Sequence, residues 1–179
     1  MDKKKQDTGY SLIMSLLLLV IIGATAVANT SAGIDKEAAS LIRTFEGYVA
    51  EPYADGAAAS VGYGTSIARA EIHGYTGGHL SEEMARRILS RCVSEERECL
   101  ALEIPTFYSL TEDMQVALIS MRYNRPALIG PKLKGHIEHK RYNQAALEII
   151  YGHNPRGKFG LVRRRSVEGG LFISGYIGS

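Results

Sequence analysis

The stretch Arg43 to Ser66, RTFEGYVAEPYADGAAASVGYGTS, constrains this chain more than any other. Just upstream, apolar residues at Ile34, Ala38, Leu41, Ile42 and Phe45 recur at helical spacing, with Asp35 read as the N-cap and Gly47 as the C′ stop. Glu46 therefore falls on the last helical turn, where the negative end of the helix dipole disfavours a carboxylate charge. Pro52-Tyr53-Ala54-Asp55-Gly56 carries turn chemistry, and Ser60-Val61-Gly62-Tyr63-Gly64-Thr65 alternates as a short strand. A helix that stops at a glycine and then feeds a small hairpin gathers Glu46, Asp55 and Ser60 into one region. Two acids and a hydroxyl are residue types suited to acid-assisted cleavage of a glycosidic bond.

The rest of the chain is legible as a scaffold. Its 179 residues allow one domain with a proper core, and 45% hydrophobic with 22% charged content excludes a disordered chain. Leu80-Ser81-Glu82-Glu83 opens a helix expected from about Ser81 to Leu102, long enough to join two lobes. Thr111 is read as the N-cap of the next helix, whose apolar stretch through Tyr123 suits a core. Further helices are expected at Lys132–His139, Asn143–Tyr151 and Leu161–Phe172, the last with a basic face at Arg163, Arg164 and Arg165. The fold class is thus α+β, mostly helical, with a small β-hairpin or sheet lobe and a helical lobe.

Residues 1–33 are an address rather than fold. Lys3, Lys4 and Lys5 precede an apolar run, and Ala26-Val27-Ala28 fits a signal-peptidase site. Alternatively, residues 12–28 are apolar for about the length needed to cross a bilayer. Either way the lysines stay inside and everything after Asn29 is exported. The expected organisation is a signal or anchor segment at 1–33 and a catalytic domain at 34–179.

Charge is unevenly spread. Ile34 to Ile104 holds 7 Lys/Arg against 12 Asp/Glu, and Pro105 to the end holds 11 against 5. A basic half suits an anionic polymer, or the halves neutralise each other across a cleft. Cys92 and Cys99 lie on one expected helix, about 10 Å apart, beyond the reach of a disulfide. Two free thiols are expected. No Cys/His spacing typical of a metal site is present, and His136 and His139 are read as a solvated helix face.

Four pieces of the chain together resemble the phage-type lysozymes, the endolysins of glycoside hydrolase family 24. They are FEG…EPYADGAAASVGYGT, LSEEMARRIL, LTEDMQVALISMRYN and GLVRRRSVEGGLF, spanning Ile34 to Phe172. The resemblance implies a two-lobed lysozyme-like fold and a muramidase that hydrolyses the β-1,4 bond between N-acetylmuramic acid and N-acetylglucosamine in peptidoglycan. It implies Glu46 as general acid, Asp55 as second carboxylate and Ser60 as the hydroxyl that positions water. Tyr63, Thr65 and Arg164 are implied as substrate-binding or supporting residues, one of Arg164 or Arg165 pairing with Glu46. Ser60 stands where the family usually has Thr, Thr65 where it often has His, and Tyr123-Asn124-Arg125-Pro126 where it has Tyr-Asn-x-Gly.

The expected partners are bacterial peptidoglycan and, through the N-terminal segment, a membrane. Nucleic acid is not expected, the catalytic domain is expected to be monomeric, and the mechanism needs no metal or cofactor. The leading expectation is an exported endolysin, membrane-anchored or released to the periplasm, acting in host lysis. The alternatives are a virion-associated muramidase or lytic transglycosylase acting at entry, and a catalytically degenerate wall-binding protein.

Overall fold

The computed structural model describes residues 30–56, 58–152 and 159–178. The chain divides into two compact units, Met1–Gly33 and Ile34–Ser179. The apolar run at 12–28, expected as a signal or anchor, lies outside the described residues. Among the described residues no helix is long and apolar enough to cross a membrane.

The chain is helical from residue 30 to 46 (α1). Asp35 is therefore not an N-cap: the helix is already running when it is reached, and its carboxylate accepts from Arg97 Nε at 2.8 Å. Gly47 ends the helix at φ 68°, its N–H donating back to the Arg43 carbonyl at 3.2 Å, a backbone that a glycine adopts without steric cost.

Three antiparallel strands follow in the order β1 (Val49–Asp55), β2 (Ala58–Gly62) and β3 (Thr65–Ser66). Two expectations are corrected here. Pro52 to Asp55 is strand rather than turn, because β1 is an edge strand whose register is irregular between Val49 and Tyr53, where a proline is tolerated. The run from Ser60 to Thr65 is not one strand: it turns at Gly62-Tyr63-Gly64, with Gly62 at φ 67° and Gly64 at φ 73°.

A short helix not anticipated from the sequence, α2 (Ile67–Ile72), leads to the long α3 (Glu82–Glu103). Ser81 caps α3 by accepting from the Met84 N–H at 3.2 Å, as its position predicts. α3 packs against both β2 and α4 (Glu112–Asn124). Thr111 stands at the N-cap of α4, but its side chain makes no capping bond. Every residue from Met114 to Met121 is buried, so α4 is the central core helix.

Short 3-10 turns at Phe107–Ser109 and Pro126–Leu128 flank α4, and α5 (Pro131–Glu138), α6 (Tyr142–Tyr151) and α7 (Phe159–Ile177) follow. α7 packs on α4 and α6. Its close approach to α6 depends on Gly169, where a Cβ would stand 2.4 Å from Ile150 Cγ1 and 3.2 Å from the Ala146 carbonyl. The expected basic face of this helix is corrected too. Only Arg163 of the three arginines is exposed; Arg164 and Arg165 are buried.

Candidate active site

Three parts of the fold converge on Glu46. The end of α1 presents it, α7 reaches it from below and the turn before β3 covers it. From α7, Arg164 Nη1 pairs with Glu46 Oε1. The same guanidinium donates through Nε to Glu168 Oε1 at 3.1 Å and through Nη2 to the Ser120 carbonyl at 3.0 Å. It also lies 5.0 Å from the centroid of the Phe45 ring. Every nitrogen of the guanidinium is engaged, so its direction is set by the core. The Arg164 side chain is 4% exposed against 21% for Glu46, which is therefore the solvent-facing end of the pair.

Behind Arg164 lies Glu168, fully buried. Its Oε2 faces Arg165 Nη1 at 2.7 Å, and its Oε1 accepts from Ser120 Oγ at 2.6 Å. Arg165 Nη2 in turn donates to Asn124 Oδ1 at 2.9 Å. Burial pushes the Glu168 carboxyl up, while Arg165, the Ser120 hydroxyl and Arg164 pull it back down; burial pushes Arg165 down. Glu168, paired with both guanidiniums, is the buried counter-charge that lets two arginines stay inside the protein.

The second oxygen of Glu46 looks the other way. A Cβ added to Gly64 would stand 2.9 Å from Glu46 Oε2, so the backbone of the turn lies directly against the carboxylate. Glu46 is thus held between an arginine and a glycine.

Asp55 is the last residue of β1 and is exposed. Ser60, buried on β2, donates to Asp55 Oδ2 at 3.2 Å, linking the hydroxyl to the acid across the hairpin.

Tyr63 and Thr65 are both buried and hydrogen-bonded within the fold. Tyr63 OH donates to Glu82 Oε1 at 2.8 Å, and burial with this bond pushes its phenol up. Tyr123 OH donates to the Tyr63 carbonyl at 2.8 Å, so the 2.9 Å contact between Thr65 and Tyr123 is a bond that Thr65 donates. These bonds pin the Gly62–Gly64 turn to α3 and α4, and with it the surface that meets Glu46.

Sequence reasoning did not single out Ser120, Tyr123 or Gly64, and met Glu168 only within the closing pattern. Glu168 stands four residues after Arg164 and three after Arg165, a spacing that pairs charges on one helix face. That signal was present. The others depend on contacts between distant segments.

The chain matches the Phage lysozyme family over residues 43–168, more than half its length. No curated protein sequence matches it. Among solved structures it is similar to the muramidase domain of SpmX from Asticaccaulis excentricus, with TM-score 0.63, 22% identity, and coverage of 76% of this chain and 94% of that one. It is similar to the active form of the P1 phage endolysin Lyz, with TM-score 0.64, 17% identity, and coverage of 78% and 84%. A third likeness is to the endolysin of Escherichia coli O157:H7 phage FAHEc1, with TM-score 0.58, 21% identity, and coverage of 76% and 90%. These likenesses show the fold, a lysozyme-like one of mostly helical build with a small antiparallel sheet. With the family match spanning Glu46, Asp55, Ser60 and both buried arginines, the chain belongs to the Phage lysozyme family.

Proposed function

We propose that this protein is a peptidoglycan muramidase that hydrolyses the β-1,4 bond between N-acetylmuramic acid and N-acetylglucosamine. The observation that carries the reading is the clamped Glu46, oriented by Arg164, in a fold that also bonds the Asp55 carboxylate to Ser60 across the adjoining hairpin. Glu46 donates a proton to the leaving glycosidic oxygen. Ser60 holds Asp55 by Oδ2, leaving Oδ1 to accept a hydrogen bond from the attacking water. Water adds to the anomeric carbon and passes its proton to Asp55, while the electron pair of the broken C–O bond leaves with the oxygen that Glu46 protonates. The experiment is to incubate the protein with purified peptidoglycan and measure release of soluble muropeptides. Solubilisation supports the reading; binding to the wall with no release would make the protein a wall-binding module.

Gly64 supplies a sharper check on the geometry. In Gly64→Ala the new methyl group is driven toward Glu46 Oε2, and the positive φ adds roughly 1–2 kcal/mol of backbone strain. Displacing the acid by about an ångström costs on the order of 10²-fold in rate. Peptidoglycan solubilisation should fall by that amount while the variant stays folded at room temperature. An unimpaired rate would mean that Glu46 Oε2 has no part in the chemistry.

By its cellular role the protein is proposed to be an exported endolysin, held at the membrane through residues 1–33 or released to the periplasm. The basic start and apolar run at 12–28 support this. Fractionation of expressing cells should place the full chain in the membrane or periplasm; recovery in the cytosol would refute export.

A further inference from the structure

A second cluster of chemically capable side chains lies where α2 gives way to the loop before α3. His73, the residue after α2, has a side chain only 8% exposed, and its Nε2 lies 2.9 Å from Glu95 Oε1. The imidazole and the carboxylate form a close pair, although the N–H does not point squarely at the oxygen. Cys92 precedes Glu95 by one turn of α3 and is fully buried, its thiol free. One ligand atom from each of His73, Cys92 and Glu95 lies within 4.8 Å of the other two.

The two oxygens of Glu95 have different tasks. Oε2 accepts from Arg69 Nε at 3.1 Å and Nη2 at 2.8 Å, while Oε1 faces His73. Arg69 also donates to the Cys92 carbonyl at 3.0 Å and to Glu96 Oε1 at 2.5 Å. The outer oxygen is thus locked and the inner one offered. Such locking of a carboxylate by an outer partner is typical of metal ligands. An ordinary His–Glu charge pair accounts for the short distance. It does not account for the sulfur beside it.

We propose that His73, Cys92 and Glu95 bind a divalent transition metal ion of the zinc type. Imidazole, thiolate and carboxylate are all ligands that zinc accepts, with bonds of about 2.0–2.3 Å. Donors on such an ion stand roughly 3–4 Å apart, close to the spacing of these three ligand atoms, which lie within 4.8 Å of one another. The Glu95 side chain is 44% exposed, which admits the ion and a water in the fourth position. On binding, the Cys92 S–H bond breaks, its proton passes to solvent, and the sulfur electron pair forms the S–metal bond. No electron is transferred. Burial pushes the Cys92 thiol up to about 11, against the pull of the Arg69 charge, so the metal itself has to displace the proton. The ion clamps the end of α2 to α3, and Arg69, 6.0 Å from the Tyr123 ring centroid, carries that clamp to the tyrosine that holds the turn over Glu46.

The test is titration of the reduced full chain with cobalt(II), alongside equilibrium dialysis with zinc. The expected result is one ion per chain with a thiolate-to-cobalt charge-transfer band. Cys92→Ala should abolish the band, Cys99→Ala should keep it, and His73→Gln should weaken binding by at least about tenfold, the loss already typical when only an outer partner of a ligand is removed. Absence of the band in the unmutated chain overturns the proposal, as does binding left unchanged by His73→Gln. The readout is spectroscopic, so the proposal stands or falls independently of whether the protein cleaves peptidoglycan.

Discussion

Glu46→Gln is expected to lose about 10²–10⁴-fold of the peptidoglycan-cleaving rate, the usual contribution of a positioned general acid. The amide has the shape of the carboxylic acid but no acidic proton to give. Stability should change little, because Arg164 keeps the Glu168 carboxylate and the Ser120 carbonyl as partners. Glu46 itself is the more exposed end of its pair, so its loss does not strand a charge in the core. Rates of solubilisation measured beside thermal melting separate the two effects. A variant with near-native melting and a rate within a few-fold of the parent would remove Glu46 from the chemistry.

Glu168→Gln should do the reverse and strike stability first. Glu168 is fully buried and faces two guanidiniums, Arg164 at 3.1 Å and Arg165 at 2.7 Å. Neutralising it leaves Arg165 facing an uncharged amide, with the Asn124 side chain as its other partner. Breaking a buried pair by removing one partner costs about 3–5 kcal/mol. For a chain of this size that lowers the melting temperature by roughly 10 °C. Activity should fall as well, since Arg164 loses one of the anchors that aim it at Glu46. Denaturant unfolding of the variant gives the number directly. A loss below about 1 kcal/mol would show that the arginines are satisfied without Glu168.

How far the sequence carries depends on how local the cause is. The start of α3 was readable from Ser81, whose hydroxyl caps the third N–H beyond it, and the end of α1 from Gly47. Both are decided within four or five residues. The hairpin was found but its turns were misplaced, since Pro52 looks like a turn residue unless it is known to lie on an edge strand. The glycines at 62 and 64 looked like part of an alternating strand until their positive φ made them a turn.

The arginines of α7 show the limit most clearly. By type they belong on the surface, and only the presence of Glu46, Ser120 and Glu168 around one guanidinium turns Arg164 inward. The grouping of His73 with Cys92 and Glu95 follows from the same cause. No fixed spacing announces it, because the packing of α2 on its neighbours brings the imidazole to α3. The acids themselves stood in the most informative stretch of the sequence; the groups that orient them lay far along the chain.

The central claim is hydrolysis of the muramic glycosidic bond with Glu46 as proton donor. Mass analysis of the products from purified peptidoglycan, for the full chain and for Glu46→Gln, tests it most directly. The account predicts fragments ending in reducing N-acetylmuramic acid, formed by the parent and nearly absent with the variant. Fragments ending in anhydro-muramic acid would contradict it, because water would then have no part in the cleavage and Asp55 and Ser60 no water to hold.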